Sequence, residues 1–150
     1  MKVKILPILG IFLIAIMIVS TLAYTLMSSH SPLPEGNVID YELDVYNEEA
    51  LLRQGKVLMK LFYERGCLDC EEKIYVLENL VKSYSDQIFL EKIVLNESIP
   101  KLHFIGFNIT QSGIYLSEKE LRGEDITEEK IMNILCEVMI KPPTTKCVKI

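Results

Sequence analysis

Four cysteines occur in 150 residues, and two of them stand three apart in Cys67-Leu68-Asp69-Cys70. Thiols at positions i and i+3 of a helix's first turn share one face and are close enough to join without large strain. That spacing serves dithiol–disulfide exchange, a static disulfide, or half of a tetrahedral zinc site. Zinc fits least well. The other two cysteines, Cys136 and Cys147, have ten residues between them and lack the short knuckle spacing, and the only histidines are His30 and His103. No metal or organic cofactor is therefore expected, because exchange chemistry keeps its electrons on sulfur. Cys67 is the candidate attacking thiol and Cys70 the candidate resolving thiol. The positive end of a helix favours a thiolate at Cys67. Gly66 lets the backbone turn tightly before it, and Arg65 adds a positive charge. Asp69, Glu71 and Glu72 oppose these effects, so the expected acidification is modest.

A thiol pair does this chemistry only if the elements around it hold it at a surface. Lys56 to Tyr63 is short and apolar, and reads as an interior strand covered on both faces. After the cysteines, Ile74, Leu77, Val81 and Tyr84 recur at helical spacing with charged residues between them, giving an amphipathic helix to about Tyr84. Gln87 to Leu95 and Lys101 to Phe107 read as two more strands, and Gly113 to Leu121 pairs back on the latter after a turn at Asn108 to Ser112. Upstream, Val38 to Val45 is a first strand, followed by a short helix capped by Asn47 and ended near Gly55. Thr127 caps a final helix that Pro142-Pro143 stops. The order β-α-β-α-β-β-α implies an α/β domain: a central mixed sheet flanked by helices. Cys136 on the last helix and Cys147 in the tail meet if Pro142-Pro143 reverses the chain, as a structural pin or as a second redox pair.

Ile5 to Met27 is an uncharged, apolar run, long enough as a helix to cover ~34 Å and cross a bilayer. It predicts one N-terminal transmembrane helix, uncleaved because Thr21-Leu22-Ala23-Tyr24 is a poor cleavage site. Lys2 and Lys4 precede the run and Arg53 is the first basic residue after it, which predicts a cytoplasmic N-terminus and an extracytoplasmic C-terminal domain. The expected organisation is an anchor over 1–28, a tether over 29–37, a domain over 38–140 and a tail over 141–150. The lipid bilayer would be a partner through residues 5–27. Residues 1–28 hold two of the 16 basic residues and none of the 21 acidic ones, leaving a net charge of −7 on the remainder. Nothing there invites nucleic acid. Roughly 115 residues after the tether suffice for one compact core.

The element order, the cysteine pair after a central strand, and Ile99-Pro100 opening the next strand resemble the thioredoxin family over about residues 38–140. The resemblance implies a thiol–disulfide oxidoreductase acting on protein thiols and disulfides, with a membrane redox partner as in tethered members. It also implies that Ile99 and Pro100 bind the substrate chain through a cis X-Pro bond facing the disulfide. Lys92 resembles the family's lysine near the resolving cysteine, and Gly123 its glycine before the last helix. Two positions depart from the pattern: Gly66 replaces a tryptophan, and Leu61 stands where the family has a buried acid. The alternative reading is a thioredoxin-fold adaptor that binds peptide and keeps its disulfide closed.

Overall fold

The computed structural model describes residue 10 and residues 13–20, 33–96, 99–143 and 147. The chain divides into two compact units, Met1–Pro32 and Leu33–Ile150. In the first, residue 10 and residues 13–20 are helical (α1). The transmembrane helix expected over 5–27 is not found: among the described residues no helix is long and apolar enough to cross a membrane. Eight helical residues rise only ~12 Å, against ~30 Å of hydrocarbon. The rest of the apolar run lies outside the described residues.

The second unit is built from β1 (Val38–Ile39), α2 (Val45–Arg53), β2 (Val57–Tyr63), α3 (Leu68–Ser83), β3 (Ile88–Val94), β4 (Lys101–Thr110), β5 (Gly113–Arg122), a 3-10 turn (Gly123–Asp125) and α4 (Glu128–Val138). The strands form one sheet in the order β1-β3-β2-β4-β5. β1 and β2 run parallel to β3, whereas β4 is antiparallel to both β2 and β5. The sheet is mixed because two crossovers through helices precede a hairpin.

Period-2 alternation divides the strand side chains between two faces. Val57, Met59 and Leu61 of β2, with Leu90, Leu102 and Phe104, pack under α3 and α4 against Leu77, Val81, Ile131 and Leu135. Leu58 and Phe89 point the other way and pack with Ile39, Leu43 and Leu51 under α2. Burying each of these side chains contributes roughly 1.5–3 kcal/mol. β4 and α4 approach closely at Gly106, where a Cβ would come within 2.8 Å of the Val138 carbonyl oxygen.

Two upstream boundaries differ from the sequence expectation. β1 is only two residues long, not the Val38 to Val45 strand. The cap of α2 is Asp44, whose carboxylate accepts hydrogen bonds from the Asn47 backbone N–H and side-chain amide, both at 2.9 Å. With both carboxylate oxygens engaged, Asp44 outcompetes Asn47 as the cap and starts the helix at Val45. The last helix begins at its expected cap, with Thr127 accepting from the Lys130 N–H. Cys136 on α4 and Cys147 are joined by a disulfide, Cα to Cα 5.5 Å, which ties residue 147 to the helix.

Candidate active site

β2 leaves the sheet at Tyr63, and four residues later the chain enters α3. The turn between them needs a left-handed residue, supplied by Gly66 at φ 87° with open space around its α-carbon. The Cys67 N–H donates to the Glu64 carbonyl at 3.3 Å and the Cys70 N–H to the Cys67 carbonyl at 3.2 Å, closing the turn into the helix. Cys67 is the N-cap of α3, and its side chain makes no capping hydrogen bond. It is joined to Cys70 by a disulfide, Cα to Cα 5.3 Å. The two sulfurs are not equivalent. Cys67 is half-buried at the surface, while Cys70 is 1% exposed. An external disulfide or thiol can therefore reach Cys67, and Cys70 can act only from within.

Hydrogen bonds across the same end of the sheet assemble the neighbouring segments. The Leu95 N–H donates to the Tyr63 carbonyl and the Gly123 N–H to the Pro100 carbonyl, each at 2.8 Å. With Phe62 opposite Lys101, and Lys101 opposite Arg122, Pro100 and Gly123 fall level with Tyr63 at the end of β2. Pro100 is buried, whereas Ile99 is 57% exposed and stands over Gly123. The cysteine turn, Ile99-Pro100 and Gly123 thus share one end of the sheet. The expected cis bond is absent: no described peptide bond is cis, so Ile99–Pro100 is trans. Trans is favoured by ~0.5–1 kcal/mol for X–Pro unless the surroundings select against it.

Lys92 is engaged away from the disulfide. Its ammonium donates to Glu78 of α3 at 2.7 Å and pairs with Asp40 at 2.9 Å. Burial works to lower its pKa, but these two carboxylates outweigh burial and raise it above the ordinary lysine range. Leu61, opposite Lys92 in the register, is fully buried. His103 pairs with Glu120 across the β4–β5 hairpin, Nε2 to Oε2 2.6 Å.

One polar cluster escaped the sequence reading. Lys60 and Glu91 lie opposite each other on β2 and β3, beneath α2, and both are buried. Lys60 donates to Glu48 at 2.6 Å and Glu42 at 3.4 Å, and its nitrogen is 3.9 Å from Glu91. Glu91 Oε2 accepts from the Leu43 N–H at 3.3 Å, and Oε1 has no hydrogen-bond partner among the described residues. Burial pushes the Glu91 carboxyl up to about 7, against the opposing pull of Lys60 and the Leu43 N–H. The signal was charge at the centre of each apolar strand, Lys60 in Val-Leu-Met-Lys-Leu-Phe-Tyr and Glu91-Lys92 in Ile-Phe-Leu-Glu-Lys-Ile-Val. One ammonium facing three carboxylates ties α2 and the segment before it to the sheet.

No protein-family model matches the chain, and no curated protein matches it significantly.

Proposed function

We propose that the chain is a thioredoxin-like thiol–disulfide oxidoreductase working outside the cytoplasm, with protein thiols and disulfides as substrates. The observation that carries this reading is the unequal exposure of two joined sulfurs at a helix N-terminus directly after a central strand. In the reducing direction, the Cys67 thiolate attacks one sulfur of a substrate disulfide and the other leaves as a thiolate, forming a mixed disulfide. Cys70 loses its proton and attacks Cys67, releasing the second substrate thiolate and closing Cys67–Cys70. Two electrons pass from the protein dithiol to the substrate, and two protons end on the substrate thiols. The reverse sequence oxidises a substrate dithiol. A second redox partner must reset the pair in either direction. The strand order β1-β3-β2-β4-β5 supports the family reading. Two disulfides suit a compartment that lets them persist.

Cys70→Ser should accumulate mixed disulfides with substrate proteins, since nothing resolves them, and Cys67→Ser should accumulate none. Non-reducing electrophoresis of the two variants after alkylation reads this directly. Equal, empty traps from both would overturn the proposal. A second reading, a peptide-binding adaptor with a static disulfide, is favoured by the trans Ile99–Pro100 bond and by fully buried Leu61, which provides no acid to deprotonate Cys70.

A further inference from the structure

A groove of about 470 Å³ runs between the first turns of α3 and the segment from the 3-10 turn into α4. Its floor includes Val76, Ile126 and Ile131, the last two buried, and Glu72, Glu124 and Glu128 stand on its sides. Lys73 is the one cation among the described lining residues, and its ammonium reaches back to the Asp69 carbonyl at 3.4 Å. The adjacent Lys130 is paired with Asp125. The groove thus carries three carboxylates and one ammonium on its sides, above an apolar base, with Glu72 and Glu124 the carboxylates nearest its α3 and 3-10 edges.

We propose that this groove receives a lysine or arginine side chain of the substrate polypeptide whose cysteine reacts at Cys67. The inference rests on the exchange reading above and adds a substrate preference to it. Lysine and arginine carry an apolar stem and a charged head, matching an apolar floor edged by carboxylates. The groove begins on the helix that carries the disulfide. From Cys67 the groove residues Glu72 to Val76 lie ~7.5–13.5 Å along the axis, which an extended substrate covers in about two to four residues. The substrates selected are therefore cysteine-containing segments with a basic residue that close to the reacting cysteine.

The test uses the full chain and a panel of labelled extended peptides bearing one Lys, or one Glu, two to four residues from a cysteine held as a glutathione mixed disulfide. The same peptides with serine for cysteine report non-covalent binding by fluorescence anisotropy. At low salt the best Lys peptide should exchange, and its serine form bind, roughly fivefold better than its Glu counterpart, as several partly exposed ion pairs allow. The ratio should fall toward one at high salt and in E72Q/E124Q/E128Q. Because it compares two peptides on one protein, a general change in activity cancels. A ratio near one in the wild type, or one that survives in the triple variant, overturns the proposal. Failure of every peptide to exchange, charge-free ones included, removes the parent reading, while the serine peptides still decide the groove.

Discussion

Glu91 is 0% exposed, and its carboxyl is pushed up from 4.5 to about 7, mainly by burial. The unfolded chain releases this proton near its ordinary value, whereas the folded chain keeps it until about pH 7. The folded state therefore binds more protons across that window, and its stability falls as pH rises through it. The expected size is on the order of 3 kcal/mol. Glu91→Gln keeps an acceptor for the Leu43 N–H but cannot titrate. Urea unfolding from pH 4 to 8 should show a flatter profile for the variant than for the wild type between about 4.5 and 7; superimposable profiles would contradict this account. The cysteine pair was legible from spacing alone, because i and i+3 on a helix leave little freedom. The Lys60–Glu91 contact was not, since it depends on a strand register that no local pattern states. The site of Lys92 was legible as a strand position, but its partners Glu78 and Asp40 come from distant segments.

Strands with long apolar runs and a helix with regular apolar spacing were readable to within a residue or two, as with β2, β3 and α3, and α4 starts at its expected cap. The start of α2 shifted through competition between caps, and β4 runs three residues past its expected end at Phe107 into the expected turn. Asp44 and Asn47 are both able caps, and the one with two hydrogen bonds took the role. The apolar N-terminal run was read by length and hydropathy as one long helix, but among the described residues only a short helix is present there. Close packing between elements is the least legible feature of all. Gly106 looked like an ordinary strand residue, yet it is where β4 passes beneath the end of α4. Gly106→Ala should cost about 1–3 kcal/mol by overpacking, read as a lowered urea midpoint with an unchanged slope. A variant as stable as the wild type would mean that α4 yields freely at Val138.

For the molecule as a whole, the proposed function gives the two disulfides different duties. Cys136–Cys147 closes a separation of 11 residues and should stabilise the fold by about 2–3 kcal/mol through loop entropy. Replacing both cysteines with alanine should lower the unfolding free energy by that amount and leave Cys67–Cys70 exchange rates intact. A loss of exchange at unchanged stability would instead make the second pair part of the redox circuit. Cys67–Cys70 sits at a surface turn with one reachable sulfur, at the end of the sheet where Ile99, Pro100 and Gly123 gather, and exchange is the duty proposed for it. The most direct test is the reduction potential of that couple in the full chain, equilibrated across glutathione and dithiothreitol buffers and read by alkylation mass shift with peptide mapping. A value between about −120 and −270 mV is expected for a working exchanger. A pair that stays closed until below about −300 mV would be a structural disulfide, and the oxidoreductase reading would give way to the peptide-binding one.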